Sequence, residues 1–173
     1  MSSGTILISE YNPRWPEVYE SEASRIRLAL GDRVVRLEHA GSTSVPGLAA
    51  KPVIDIVLVV ADSADQSSYA NALEQAGYGL AIREPDWFEH RMFRGSRDVA
   101  VNLHVFSREC PEVDRMLAFR DWLRRSAGDR DLYARTKRDL AGRQWNTVDE
   151  YASAKSGVVA EILGRALGEP LLQ

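Results

Sequence analysis

A single cysteine, Cys110, stands in 173 residues. That excludes an internal disulfide and any metal site built from several thiolates, and it fits a reducing compartment. Nothing around Cys110 marks an activated thiol, and a lone cysteine is usually a small packed apolar residue. Long apolar runs are equally scarce. None approaches the roughly 20 residues that cross a bilayer, and the longest is interrupted by Asp55. The opening MSSGTILISEYNPRW lacks the basic and apolar regions of a secretory leader. An excess of basic charge is missing too. The 22 Lys and Arg face 25 Asp and Glu, which argues against bulk nucleic-acid binding but not against one local basic patch. There is no solenoid-length repeat, no low-complexity tract, no G-x-x-x-x-G-K-[ST] loop and no Gly-x-Ser-x-Gly elbow. The expectation is a soluble, cytoplasmic protein, one domain over residues 1–173, with no membrane partner.

What is present reads as strands mixed with helices, then helices alone. TILIS (5–9) predicts a short strand. NPRWPEVYESEASRIRLAL predicts a helix, with Asn12 as cap, prolines at its start and Gly31 after its end. RVVRLEHA (33–40) predicts a strand, GSTSVPGLAAKP a loop with at most one helical turn, and VIDIVLVV (53–60) a central strand, apolar on both faces. A short helix over 65–76 closes at Gly77. YGLAI (78–82), RMFRG (91–95) and DVAVNLHVF (98–106) predict strands, the last two paired as a hairpin. Three stretches of helical spacing follow Phe106. Thr147 and Glu150 match a capping box before the last helix, which ends near Gly168. The fold class is α+β: a short mixed sheet in a core over about 1–108, helices on one of its faces, and a helical C-terminal part over about 109–168.

The chemistry gathers around EHAGSTSVPGLAAKPVIDIVLVV, Glu38 to Val60. Gly41 lets backbone approach a ligand, and Ser42, Thr43 and Ser44 offer hydroxyls and N–H groups. A helix beginning near Ser44 would favour an anion at its start, and Lys51 adds positive charge before the strand. The set suits a phosphate; it also suits an ordinary polar turn capping a helix. Asp55 is a carboxylate inside an apolar strand, costly to bury without a partner. Alternation puts it on one face with Val53 and Val57. His104, in NLHVF, could reach that face. It could then share a divalent cation with Asp55, serve as its hydrogen-bond partner, or act as a general base.

The same stretch, EHAGSTSVPGLAAKPVIDI, followed in order by HRMF, NLHVF, FRDWLR, YARTKRDLA and EYASAK, resembles the GrpB family over nearly the whole chain, from YNPRWPEVYE to about Leu163. That family is placed by similarity among nucleotidyltransferase-like, polymerase-β-like folds. The resemblance implies a short mixed sheet, a Gly-Ser turn, an acid two residues before another on a strand, and a further acid on a later strand. Gly41, Ser42 and Asp55 match. Val57 stands where the second acid would be, and His104 takes the place of the later one. Asp55 and His104 are thus the expected catalytic residues, with Glu38 beside the motif as a third metal ligand. His39 is the less favoured substitute for Glu38. The expected cofactor is a divalent metal, Mg²⁺ first, with Mn²⁺ or Zn²⁺ suited to a histidine ligand. A GrpB-like domain fused to dephospho-CoA kinase in some bacteria implies a nucleotide- or coenzyme-related ligand.

A second pattern lies in the C-terminal helices. Tyr133 precedes Lys137 by four residues and Tyr151 precedes Lys155 by four, so each pair shares a helix face; Arg120 and Arg124 repeat the spacing. If these faces converge on the motif loop, they form a cationic wall with aromatic platforms for a nucleotide or another phosphate-bearing small molecule. If not, the tyrosines pack in a core and the lysine stems reach outward. Glu89, His90 and Arg91 stand at the expected cleft entrance, His90 as an ordinary loop histidine. The expected reaction is metal-assisted nucleotidyl or phosphoryl transfer to a small acceptor; the alternative is a non-catalytic nucleotide- or anion-binding protein that has lost the second and third acids.

Overall fold

The computed structural model describes residues 6–168 of the chain. Five strands form one mixed sheet: β1 (Arg36–Ala40), β2 (Val53–Val60), β3 (Gly79–Glu84), β4 (His90–Ser96) and β5 (Ala100–Ser107), in the spatial order β1-β2-β5-β4-β3. β2 and β5 run parallel and the other neighbours antiparallel. The helices are α1 (Trp15–Leu30), α2 (Ala70–Gln75), α3 (Pro111–Arg125), α4 (Ala127–Ala141) and α5 (Val148–Leu167). The α+β class, the interior place of β2, the β4–β5 hairpin and the helical C-terminal part are as the sequence led us to expect. No helix among the described residues is long and apolar enough to cross a membrane.

β2 is apolar on both faces because both are covered. Ile54, Ile56, Leu58 and Val60 bury against Ile26 and Leu30 of α1 and Leu73 of α2. Val57 and Val59 pack on the other side with Phe106, Cys110, Val113 and Leu117, under α3. Helices on one face alone is therefore corrected: a doubly apolar strand needs a cover on each side. A third cluster joins Val45 and Leu48, in the loop after β1, to Leu123, Tyr133 and Ile162. It clamps α3, α4 and α5 onto the motif loop. Asp129 tightens this clamp, accepting from Trp122 Nε1 at 2.6 Å and from Arg165 Nη2 at 2.6 Å.

Several boundaries move for local reasons. The expected strand at 5–9 reduces to one bridge, Ser9 with Ala50, because its partner is a loop; Thr5 lies outside the described residues. Gly31–Arg33 adds a 3₁₀ turn after α1, so β1 starts at Arg36. The segment 65–76 splits into a 3₁₀ turn (Gln66–Ser68) and α2, since Ser67 and Ser68 bond back to Asp65 rather than extend a helix. Thr147 Oγ1 accepts from Glu150 N at 3.1 Å, but Glu150 reaches Asn146 N and not Thr147, so the capping box is half formed.

Candidate functional site

β1 ends at Ala40, opposite Asp55 of β2. Gly41 follows at φ +69°, a left-handed conformation that glycine adopts without strain. A Cβ there would lie 2.4 Å from Asp55 Oδ2, so a side chain at this position would displace the carboxylate. The turn Ser42–Ser44 is three residues of 3₁₀ helix and stops there. No helix starts near Ser44 to focus positive potential on an anion, which corrects that expectation. Ser44 Oγ donates to Gly41 O and is buried, so Ser44 shapes the turn. Thr43 Oγ1 donates to Val53 O at 3.0 Å, and must therefore accept from His39 Nε2, also at 3.0 Å. His39 is buried against the Tyr19 ring, and burial pulls its pKa down to about 4. It is a neutral structural group and not a metal ligand.

Beside this turn lies a pocket of about 210 Å³. Gly41, Ser42, Thr43, Lys51 and Asp55 line one side, and Tyr133, Lys137, Tyr151 and Lys155 the other, with Ile8, Val53 and Asn102 completing it. The aromatic–cation faces of α4 and α5 thus converge on the motif loop, and both sequence readings hold in part. The two tyrosines are buried, Tyr133 in the third core cluster. The lysines fold back over them instead of reaching outward. Lys137 Nζ lies 4.5 Å from the Tyr133 ring centre and Lys155 Nζ 4.8 Å from that of Tyr151. Lys137 is 3% exposed, and its Nζ donates to Ser42 Oγ at 2.9 Å and Ala49 O at 2.7 Å. Among the described residues it has no carboxylate partner. Burial, with Lys155 and Arg138 nearby, lowers its pKa to about 7. Burial lowers the pKa of Lys155 as well, with the Asp55 charge opposing.

Arg120 and Glu38 stand apart from this pocket. Burial would raise the pKa of Glu38, but hydrogen bonds and charge from Arg120 and Arg36 outweigh it and lower it. Arg120 Nη1 donates to Glu38 Oε2 at 2.8 Å and to His39 O at 3.1 Å. The pair ties α3 to β1. Glu38 as a metal ligand and Arg120 as a phosphate ligand are corrected: each is consumed by the other. Arg124 donates to Ser44 O at 3.0 Å and also lies outside the pocket lining.

Asp55 and His104 do meet. β2 and β5 pair Asp55 with Asn102 and Val57 with His104, and His104 Nε2 lies 3.3 Å from Asp55 Oδ1. Behind His104, its Nδ1 lies 3.0 Å from His90 Nε2, and His90 Nδ1 lies 2.9 Å from Glu84 Oε1. His90 is the first residue of β4, buried beside Trp87 and Phe106; a loop histidine at an entrance is corrected. Arg91 is likewise buried, held by Gln66 and Glu89. Asn102, two residues before His104 on the same strand face, lines the pocket although no motif in the sequence marks it. Among the described residues no three His, Cys, Asp or Glu side chains gather to hold a metal. Asp55 and His104 fit an ion whose remaining ligands come with a substrate, as with Mg²⁺ on phosphates, and not a closed protein cage.

The family model described as GrpB protein matches residues 5–165. A UPF0157 protein of Halalkalibacterium halodurans is 58% identical over 164 residues, covering 95% of this chain and 84% of that one. The crystal structure of conserved protein GrpB from Enterococcus faecalis superposes with a TM-score of 0.80 at 30% identity, over 93% of this chain and 99% of that one. A dephospho-CoA kinase of Mycolicibacterium paratuberculosis is 29% identical over 171 residues, with 83% of this chain matching 42% of that protein.

Proposed function

The chain belongs to the GrpB family, and we propose that it performs metal-assisted transfer of a nucleotidyl or phosphoryl group to a small acceptor. One observation carries this reading: two lysines of low exposure, with no ion-pair partner among the described residues, meet a Gly-Ser turn and a strand carboxylate in one pocket. A Gly-Ser turn against a strand acid on a mixed sheet is also what the family resemblance implied. Ser42 and the turn's N–H groups, with Lys51, Lys137 and Lys155, bind phosphate oxygens. Tyr133 and Tyr151 hold the ammonium groups in place. Asp55 and His104 hold one divalent ion, Mg²⁺ or else Mn²⁺ or Zn²⁺, which would neutralise charge developing on the transferred phosphate. The pocket, at 210 Å³, falls below the roughly 300 Å³ of small drug-like sites, so it encloses a phosphate chain and leaves the base outside.

A second reading, a non-catalytic anion-binding protein, draws on the acids. Val57, in the second acid's place, is wholly buried, and Glu38 is paired elsewhere, so Asp55 is the carboxylate that lines the pocket. Titration of ATP, CTP, GTP and UTP with Mg²⁺, with Mn²⁺ and with chelator separates the two. The transferase predicts binding and turnover that need metal and disappear in Asp55→Ala. Binding indifferent to chelator and to that substitution supports the second reading.

A further inference from the structure

The three contacts Asp55–His104–His90–Glu84 carry more than a pair of ligands, because hydrogen bonds have direction. The Glu84 carboxylate accepts and cannot donate when ionised. His90 Nδ1, 2.9 Å away, therefore carries the proton. His90 packs between Trp87 and Phe106, and when its ring is neutral with the proton on Nδ1 its Nε2 holds a lone pair. That lone pair must accept from His104 Nδ1, 3.0 Å away. A neutral His104 protonated on Nδ1 has its own lone pair on Nε2, and this faces Asp55 Oδ1 at 3.3 Å. Two acceptors at that distance repel unless a proton or a metal ion lies between them. The reverse tautomers would set a lone pair of His90 against the Glu84 carboxylate. The order that leaves His104 Nε2 free for a metal ion is the one in which Glu84, partly exposed, accepts from His90 and His90 accepts from His104.

We propose that His90 and Glu84 are positioning residues for His104: they fix its proton on Nδ1 and present its Nε2 lone pair, together with the Asp55 carboxylate, to a divalent cation. This rests on the reading of Asp55 and His104 as metal ligands. It adds the outer partners that such a histidine needs, since a ligating imidazole is oriented by what its other nitrogen donates to. Neither Glu84 nor His90 touches the substrate.

The test reads tautomer and metal binding separately. The chain has 3 histidines, so long-range ¹⁵N–¹H spectra of the metal-free protein resolve every imidazole. Spectra are taken at about pH 9, above the ordinary imidazole range. The expected result is His104 protonated on Nδ1 in the wild type and in Glu84→Gln, which keeps an acceptor oxygen. Glu84→Lys presents a donor instead and should reverse the chain, putting the His104 proton on Nε2. Calorimetric titration with MnCl₂ alone should show His90→Phe, which keeps the aromatic packing, weakened about 10- to 100-fold, with Glu84→Gln close to wild type. A wild-type His104 protonated on Nε2, or a tautomer unmoved by Glu84→Lys, overturns the proposal. Mn²⁺ affinity unchanged by His90→Phe overturns the positioning role while leaving the metal reading intact. No Mn²⁺ binding by the wild type overturns the metal reading and this proposal with it.

Discussion

Arg120 and Lys137 are both buried basic side chains, one reaching back to β1 and the other to the loop after it, and they are partnered in opposite ways. Arg120 meets Glu38, Asp121 and a backbone carbonyl. Its charge is answered, and it works as a clamp between α3 and β1. Lys137 meets a hydroxyl, a carbonyl and the face of a ring. Its charge is left unanswered, and burial brings its pKa to about 7. A buried charge with neutral partners costs stability in the ligand-free protein and recovers it when an anion arrives. The same four-residue spacing thus yields an ion-paired clamp in α3 and, in α4, a lysine bonded only to neutral groups among the described residues, which under the proposed function receives a phosphate. What separates them is whether an acid stands opposite.

Exchanging each cation for a neutral side chain should break the comparison most visibly. Lys137→Met should weaken binding of a Mg²⁺-nucleotide by about 10- to 100-fold, the worth of a hydrogen bond to a charged group, with less change in chemical denaturation than Arg120→Met. Arg120→Met should do the opposite. It leaves the half-buried Glu38 with Arg36 as its remaining partner, costing about 1.5–3 kcal/mol of stability, with affinity nearly unchanged. If the arginine variant loses binding and the lysine variant loses only stability, the assignment is inverted.

Gly41→Ala comes next. Strain at positive φ costs about 1–2 kcal/mol of stability, seen in urea melts. Because the new Cβ would press on Asp55 Oδ2, the metal-dependent part of nucleotide binding should fall as well. Stability lost without any change in metal dependence would detach the turn from the carboxylate.

His39 supplies a smaller effect and sharpens the contrast, since it is a buried base whose hydrogen-bond partner is a neutral hydroxyl. Its folded pKa, about 4, lies below the 6.5 of the unfolded chain. The unfolded state therefore binds the extra proton as pH falls. Its share of stability is whole above about pH 6.5 and is lost between about 6.5 and 4, at a slope of up to about 1.4 kcal/mol per pH unit. His39→Gln should flatten that stretch of a stability–pH curve. An unchanged slope would place the acid sensitivity elsewhere.

Much of this was legible in local pattern. β2, the hairpin and the three last helices follow from alternation and helical spacing. Gly41, Ser42, Asp55 and the two Tyr–Lys pairs announce themselves by residue type and interval. What stayed hidden depends on which residues face each other across long stretches of chain. Glu38 and Arg120 are 82 residues apart, and each alone looks like a ligand. The role of His90 requires the β4–β5 register that pairs Met92 with His104, and the β3–β4 pairing that sets Glu84 beside His90. Asn102 carries no motif of its own, and only the β2–β5 register, which sets it opposite Asp55, brings it to the pocket. Ser44 has a hydroxyl like those of Ser42 and Thr43, and nothing in the sequence says that it turns inward to Gly41 O.

The central claim is that Lys137 is held uncompensated so that a phosphate can complete it. Calorimetry of MgATP binding at about pH 8, in buffers of different ionisation enthalpy, tests this most directly. Lys137 is then largely neutral, and a phosphate beside it restores its charge, so the account predicts uptake of close to one proton per site. The uptake should vanish in Lys137→Met. Binding with no proton uptake, or uptake that persists in that variant, would contradict it.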